Sequence, residues 1–589
     1  VGSRFLKGWR GRPTPPAPMA KAAGQGGEAV AGSMAGELRV ILQLGWPNSV
    51  RMFLEFIPSL AMLGFLGSDV DEVAAAGMGF MFANVSGISL IIGSGAGISP
   101  LVSQAFGAEN FVRCGDLLQR QIAIHAVFVV VIGMVWLRTE DILLLLRQPP
   151  AISRLVGEFM RWRIAALPFY ALKEDLSQYL VAQRVMGVPM AASITANVLN
   201  VAFFPVLIGW LGFAGAPLAL TLANAVQAVL LVLFSRWALP RKEAWPNWKC
   251  RTALSEWGEV LGMALPGAVL MLSEWWGWET NLFFAGLLCD SGADGGSGCV
   301  ELDVFPIVSN TMVVGFMIPV GFSIASGTHV GNALGAGNPE KARRTVKATL
   351  LLVCAIQGAV TSALLVVRPY WGALFSKDPE AIRLTAEVLP LVAAYLFLDS
   401  LGPGVLVSVL RGMGVVRLPA LINFLSFYAF GIPFGLLLTF GRPDERWGIS
   451  GLWAGLVLAM LIMVCSLLAY LFLCVDWRRQ AEVAQAQASA GSKSSTLPAP
   501  ASTQLGEPPK SIVGKSSYKR VAEDEVQCAA GKPAPAPPKL VSGKSSYKRV
   551  AEDEAPAALA APATDTKAGH AEEGERLGLP GEPLDAAIP

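Results

Sequence analysis

The stretch Leu265–Leu288 reads LPGAVLMLSEWWGWETNLFFAGLL and is long enough to cross a bilayer as one helix, which takes about 20 apolar residues. Two carboxylates, Glu274 and Glu279, lie inside it. A charged side chain at the bilayer centre costs about 2.5–3.5 kcal/mol on insertion scales, so it usually faces a protein interior or a water-filled cavity. The stretch therefore predicts a membrane protein whose interior binds a ligand or an ion, which favours transport.

The composition of the whole chain supports this prediction. Only 15% of the 589 residues are charged, against about 25% in ordinary soluble domains, and the mean hydropathy is +0.50. The net charge of +2 gives no excess for binding nucleic acid. The long apolar runs lack the alternation of membrane β-barrel strands, so we expect helices in a lipid bilayer.

Twelve apolar stretches follow one another along the chain after residue 37. The fourth is the least apolar, because five charged residues crowd it. The predicted spans are Leu38–Leu66, Val73–Ser99, Gln119–Trp136, Glu158–Ala182, Met190–Gly212, Ala214–Phe234, Gly258–Leu288, Leu302–Gly327, Thr345–Val367, Leu384–Leu410, Arg417–Phe440 and Ile449–Val475.

An internal repeat relates the first six spans to the last six. The segment QAFGAEN (Gln104–Asn110) after the second span recurs as NALGAGN (Asn332–Asn338) after the eighth. An even number of spans per repeat gives both halves the same orientation, with a binding cavity between two lobes. We therefore predict an all-α polytopic membrane protein with twelve transmembrane helices in two six-helix lobes related by internal duplication. Further matches in the same order are Pro47 with Pro266, Pro168 with Pro390, Gly187 with Gly414, Asn197 with Asn423, and Gly215 with Gly451.

The predicted domain order follows from this repeat and from composition. Residues 1–36 form a disordered arm, 37–238 the N-lobe, 239–256 a cytoplasmic linker, 257–476 the C-lobe and 477–589 a disordered cytoplasmic tail. In the tail GKSSYKRVAEDE occurs twice, at Gly514–Glu525 and Gly543–Glu554. This repeat is either a docking or phosphorylation site or a duplication within a neutral linker, and the second interpretation is favoured.

Basic residues are concentrated in alternate loops, so the positive-inside rule places both termini in the cytoplasm. The plasma membrane or a vacuolar membrane is the expected location. Cys289 and Cys299 bracket an outer loop, where a small disulfide is possible. We see no metal-ligand spacing, nucleotide-binding loop or catalytic triad, so we expect no metal, no cofactor and no enzymatic activity.

The two carboxylates of the seventh span differ by about 140° around an ideal helix, so we expect them to have distinct roles. Four-residue spacing places Trp278 beside Glu274 and Trp275 beside Glu279. A carboxylate next to an indole face suits a flat organic cation. The alternative is that these tryptophans anchor the helix at the membrane interface.

Asp399 is the second strongly placed acid, deep in the tenth span within YLFLDSLGPGVLVSVLRG. The Gly-Pro-Gly that follows weakens the helix, as happens where transporters bind ions or change shape. The alternative is that Asp399 pairs with Arg411 or reaches towards the interface. Glu301 starts the eighth span, where it is either a gate residue or simply solvated.

Competition between a proton and a cation would couple the two at these acids. Burial favours the protonated form of a carboxylate, whereas a bound cation favours the charged form. Exposure of one such site to the two sides in turn makes an antiporter, with the proton favoured over sodium as the coupling ion. Sodium would need further oxygen ligands such as Asn310 or Ser400. The candidate cavity residues are Trp275, Trp278, Asn197, Asn310 and Tyr428.

The first lobe also carries buried charge. Arg51 and Glu55 stand four apart and most simply neutralise each other. Lys173, Glu174 and Asp175 either neutralise one another or line the cavity from this lobe.

Four motifs make the chain resemble the multidrug and toxic compound extrusion family, of eukaryotic type. They are EWWGWE in the seventh span, MIPVGFSIASGTHVGNALGAGNPEKAR after the eighth, SQAFGAEN after the second, and LDS…VLRGMG in the tenth. The resemblance covers about residues 37–475. It implies a twelve-helix, two-lobe antiporter that exports organic cations or other metabolites in exchange for protons.

The resemblance also assigns roles to residues. Glu279 and Asp399 match the family's proton- and substrate-binding acids, and Glu274 and Glu301 match further family carboxylates. The sequence departs from the family where Arg51 and Glu55 replace neutral positions. It also departs after the first helix, where the expected Gly-His-Leu-Gly is Gly-Phe-Leu-Gly (residues 64–67).

Two other functions stay open on the sequence. A flippase of the same superfamily, which moves a lipid-linked sugar, would share the fold and the duplication, although it would favour a cationic cavity for phosphate. A non-transporting membrane receptor or scaffold would signal through the repeated tail and would show no flux of substrate.

Overall fold

Residues 33–66, 69–290, 300–441 and 447–490 are described by the computed structural model, and they consist of helices joined by short turns. Six helices form the N-lobe. They are α1 (Met34–Phe65), α2 (Val70–Gly107), α3 (Phe111–Leu137), α4 in two parts (Pro150–Ile164 and Leu167–Ala182), α5 (Gly187–Leu211) and α6 (Gly215–Ala238), with a short helix, Thr139–Leu145, before α4.

The C-lobe is built from the next six helices, and a further helix follows them. They are α7 (Trp257–Asp290), α8 (Val300–Gly335), α9 (Pro339–Trp371), α10 (Pro379–Gly412), α11 (Arg417–Phe440), α12 (Ile449–Cys474) and α13 (Trp477–Ala490), with a short helix, Cys250–Ala253, before α7.

The repeated motif has the same structural role in both lobes. Asn110 caps the N-terminus of α3 by accepting a hydrogen bond from the backbone of Arg113, and Asn338 caps α9 in the same way. In each turn the residue before the asparagine, Glu109 or Gly337, adopts a positive φ. The duplicated Gly-Ala-x-Asn is therefore a helix-stop and helix-start signal, because asparagine satisfies a backbone N–H that the new helix leaves unpaired.

Hydropathy and length single out most of these helices as membrane-spanning. Within the described ranges nine stretches qualify, one of which contains both α5 and α6. Among the twelve helices of the two lobes, α1 and α4 do not qualify. The sequence predicts α4 to be the least apolar span, and the structure divides it at Ala165 and Ala166, just before Pro168.

The two lobes meet mainly along three pairs of helices, α1 with α8, α2 with α7 and α2 with α8. Glycine makes this close approach possible: a Cβ on Gly93 of α2 would lie 2.6 Å from the carbonyl oxygen of Gly267 of α7. Polar contacts hold the lobes together at the end of the bundle where α2 ends and α3 begins, which we call the base. They include Gln104 to the Gly412 carbonyl, Asn332 to the Ala182 carbonyl, Glu37 to His329, and Arg113 to Glu259.

Hydrogen bonds between the lobes extend from the base to about the middle of the bundle. The hydroxyl of Ser49 donates to the carbonyl of Ile318 at 2.7 Å, and the indole N–H of Trp276 donates to the carbonyl of Val85 at 3.1 Å. A cavity between the lobes is therefore shut at the base in this conformation.

Two sequence-based expectations concern the loops and the tail. The segment predicted to be disordered from residue 477 begins with α13, whose Ala481, Ala484 and Ala488 are buried. Alanines three and four apart lie on one face of a helix, and this face packs against α2, α8 and α9. The remainder of that segment, the first 32 residues, and the disulfide predicted between Cys289 and Cys299 lie outside the described residues.

Candidate functional site

Among the described residues of the C-lobe, Asp399 is the most deeply buried carboxylate, with 2% of its surface exposed. It ends the regular first part of α10, and a π-helical turn, Ser400–Leu406, follows at once. Pro403 has no N–H to continue the regular hydrogen-bond ladder, which explains the wider turn. The weakened helix predicted after Asp399 is therefore present. The Oδ1 atom of Asp399 has no hydrogen-bond partner among the described residues, which suits a site that binds something.

Three aromatic rings surround the carboxylate side of α10. Tyr395 lies one turn before Asp399, and its ring meets Trp278 edge to face at 5.3 Å and Trp453 at 5.9 Å. The hydroxyl of Tyr395 and the indole nitrogen of Trp453 are buried and have no hydrogen-bond partner in the described part of the chain. Trp278 is thus packed into the C-lobe core.

Glu274 lies close enough to Asp399 and Arg411 for their charges to interact. Within the described ranges neither carboxylate forms an ion pair with Arg411 inside 4 Å, and the guanidinium Nε of Arg411 is buried without a partner. The direct pairing of Asp399 with Arg411, weighed above as an alternative, is therefore absent here. Tyr428 borders the same group, because its hydroxyl donates to the carbonyl of Ser273 at 3.2 Å.

The other predicted acids lie further along their helices. Glu279 is five residues from Glu274, about 7.5 Å along the axis of α7, and is partly buried. Glu301 lies in the first turn of α8 and is partly exposed. Asn310, on the same helix, is exposed.

The remaining tryptophans of α7 face the N-lobe. Trp275 packs against an N-lobe cluster that includes Phe204 and Trp136, and Trp276 is bonded to α2 as described above. Helix α7 therefore packs Trp278 into the C-lobe and Trp275 against the N-lobe, so this one helix contacts both lobes.

Asparagines of the N-lobe provide further buried polar atoms. Asn197 donates to the Ser193 carbonyl at 2.8 Å, while its Oδ1 has no partner among the described residues. Asn200 is buried, and neither its amide nitrogen nor its amide oxygen has a hydrogen-bond partner among the described residues. The same holds for Asn423 of the C-lobe, which is the counterpart of Asn197 in the repeat. Within the described ranges none of these amides hydrogen-bonds to another helix.

The N-lobe charges form a larger group than the predicted Arg51–Glu55 pair. Arg51 and Glu55 are 2.9 Å apart, and Nζ of Lys173 lies 3.9 Å from the other oxygen of Glu55. Nζ also lies 4.4 Å from the ring centre of Tyr170. The carboxylate of Glu55 is therefore shared between two cations. One of them, Lys173, lies on a different helix, so the spacing of residues along the chain does not predict this contact.

Two buried residues that contact predicted groups, Tyr395 and His125, were not predicted from the sequence. Tyr395 stands four before Asp399, a spacing that would have indicated it. His125 has no such signal, because its partner Asp175 is fifty residues away and belongs to another helix. In the described part of the chain no group of three or more metal-ligating side chains comes together.

A two-lobe bundle of apolar helices with unpaired acids in its interior is the architecture of a membrane transporter. The family comparison agrees, because the MatE family matches residues 47–206 and 282–437. Multidrug and toxin extrusion protein 2 of Mus musculus is 33% identical over 457 residues, which cover 77% of this chain and 76% of the mouse protein. Multidrug and toxin extrusion protein 1 of Homo sapiens is 29% identical over 478 residues, covering 80% of each chain.

A solved structure shares the fold. The eukaryotic MATE transporter AtDTX14 superposes with a TM-score of 0.70 at 24% identity, covering 77% of this chain and 99% of that one. The chain therefore belongs to the MatE family, and it is a multi-pass membrane transporter with twelve helices in two lobes. The family resemblance and the fold predicted from the sequence are confirmed.

Proposed function

We propose that this transporter is a secondary active antiporter that exports organic cations, xenobiotics or metabolites in exchange for protons. Alternating access between the two lobes carries the exchange. The observation that supports this most directly is Asp399, buried with an unpaired oxygen next to a π-helical turn and within reach of the charge of Glu274. Two carboxylates so close together share protons readily, because two negative charges repel in a site of low dielectric constant.

The negative net charge of the site indicates the class of substrate. The described acids Glu274, Glu279 and Asp399 outnumber the one buried cation there, Arg411. An organic cation would replace the protons on these acids and so couple the two fluxes. The multidrug and toxin extrusion proteins of mouse and man, to which the chain is similar, bear names that fit export of small foreign compounds.

Uptake into proteoliposomes tests the proposal. Tetraethylammonium uptake is measured under an outward proton gradient, a sodium gradient, and no gradient. We expect stimulation by the proton gradient in the natural sequence and its loss in Glu279→Gln and Asp399→Asn. Glu387→Gln is the matched control, since Glu387 lies on the same helix as Asp399 but is exposed and paired with Arg383 at 2.5 Å.

Each outcome separates a different possibility. Stimulation by sodium alone would keep the antiporter and change the ion. Absence of gradient-driven uptake in folded protein would contradict the proposal and favour the flippase or receptor functions. Loss of stimulation in Glu387→Gln as well would show that the effect is not specific to the buried acids.

The proposed orientation has both termini in the cytoplasm, at the plasma membrane or a vacuolar membrane. The base, where the lobes are joined, would then face the cytoplasm. Protease accessibility of tags at the two ends in intact cells and organelles tests this, and a tag cleaved from the non-cytoplasmic side would contradict it.

A further inference from the structure

A buried imidazole and a buried carboxylate meet in the N-lobe, away from the acids of the C-lobe. Nδ1 of His125 on α3 lies 2.8 Å from Oδ1 of Asp175 on α4, and each side chain is 1% exposed. The second oxygen of Asp175 has no hydrogen-bond partner among the described residues. This pair is not part of the site proposed above.

The other ring nitrogen of His125 has both an acceptor and a donor within reach. Nε2 lies 2.8 Å from the hydroxyl oxygen of Ser94 and 3.0 Å from the amide nitrogen of Gln121. The hydroxyl of Ser94 itself donates to the carbonyl of Leu90, so its oxygen can accept a hydrogen bond from a protonated Nε2. A protonated Nε2 therefore donates to Ser94, and an unprotonated one accepts from Gln121. Both charge states of the ring find hydrogen bonds in place.

Further buried charges lie on α1 and α4. They are three cations and two carboxylates grouped around Tyr170. Helix α2 contributes Ser94 and Gly95 and α3 contributes Gln121, none of which is titratable. The charged residues are Arg51, Glu55, Arg163, Lys173 and Glu174, the last of which accepts a hydrogen bond from Gln178.

Burying this many charged side chains costs more free energy than a purely structural role requires. Three consecutive residues of α4, Lys173, Glu174 and Asp175, are all buried, although consecutive residues of a helix point in directions about 100° apart. Apolar side chains hold helices together as well as buried ion pairs do or better. Gly95 leaves room beside the cluster, because a Cβ there would lie 3.4 Å from Glu174 and 3.5 Å from His125. Charges kept at such cost inside a membrane are expected to have a functional role.

We propose that His125 and Asp175 form a second proton-binding site, located in the N-lobe, which takes up and gives up one proton in each transport cycle. The proposal rests on the proton antiport proposed above and adds one proton to it. The proton comes from water on one side, resides on the imidazole between Asp175 and Ser94, and returns to water on the other side. A metal cation is disfavoured, because no group of three or more metal-ligating side chains comes together in the described part of the chain.

The number of protons exchanged per substrate tests the proposal. Reconstituted protein is held at zero membrane potential with a gradient of one pH unit, and the equilibrium accumulation of tetraethylammonium is measured. Each proton exchanged multiplies this ratio by about ten, since a tenfold gradient stores about 1.4 kcal/mol. We expect His125→Gln and Asp175→Asn to reach a ratio about tenfold lower than the natural sequence.

A matched control removes a buried hydrogen bond without a titratable group. Ser193→Ala loses the 2.7 Å bond from Gln227, also in the N-lobe, and should leave the ratio unchanged. Equal accumulation in the natural sequence and the two variants would overturn the second site while antiport stands. Absence of gradient-driven accumulation in the natural sequence would instead overturn the proposed antiport.

A second measurement decides the matter if the variants fold poorly. The chain has only three histidines, so ¹⁵N-histidine NMR of the full chain in lipid bilayers can follow His125, assigned by its absence in His125→Gln. We expect spectra recorded over a range of pH values to show the ring in both its singly and its doubly protonated form. A ring that keeps one form over this range would overturn the proposal.

Discussion

Replacement of Gly93 by alanine should push the two lobes apart. The new methyl group would lie 2.6 Å from the carbonyl oxygen of Gly267 and 2.7 Å from the Cα of Ala268, both backbone atoms of α7. Ordinary contact begins near 3.4 Å, so the helices must separate by about 0.8 Å. Overpacking of this kind costs about 1–3 kcal/mol, which corresponds to roughly a 5- to 150-fold shift away from the conformation closed at the base.

Distances between spin labels on exposed positions near the base measure this shift. Labels at Val112 of the N-lobe and Arg343 of the C-lobe should show a larger share of long distances in Gly93→Ala. Gly77→Ala is the matched control on the same helix, because a methyl group at Gly77 meets nothing within 4 Å. Away from contacts, alanine stabilises a helix by about 0.5–1 kcal/mol relative to glycine. Identical distance distributions in the two variants would show that Gly93 does not set the separation of the lobes.

Two further predictions concern the base. Truncation after Ala490 should leave stability and transport unchanged. Truncation after Asp476 should lower the melting temperature, because it removes α13 and the 2.8 Å hydrogen bond from Asn110 to the Ala488 carbonyl. Equal melting curves for the two truncated proteins would contradict this. Arg113→Glu should weaken closure at the base, because Arg113 and Glu259 pair across the lobes with both side chains largely buried, and breaking a buried pair costs about 3–5 kcal/mol. Adding Glu259→Arg should recover part of the loss in the same spin-label assay, and a double variant no better than the single one would count against the pairing.

Much of the fold follows from features that act locally. Apolar length predicts the spans, because a helix must satisfy its own backbone in lipid. The recurrence of QAFGAEN as NALGAGN predicts the duplication, and the structure explains it through the capping role of Asn110 and Asn338. The break after Asp399 is likewise visible in the sequence, since proline cannot continue the ladder whatever its surroundings.

The structure of residues 477–490 depends on tertiary packing and not on local sequence. Residues 477–490 are polar enough to suggest disorder, yet they fold as α13 because three alanines pack against helices of both lobes. The low intrinsic hydrophobicity of the segment is offset by a surface that other helices supply.

Which side chains meet was decided by the tertiary structure alone. Hydropathy and the internal repeat were enough to predict a duplicated membrane bundle with acids in its seventh and tenth spans. They did not predict that Trp278 would pack against Tyr395 and Trp453, or that His125 and Asp175 would share a buried site. The physical reason is range: helix periodicity relates residues within about two turns, whereas these pairs depend on how separate helices rotate and cross, which only the packing of the whole bundle fixes.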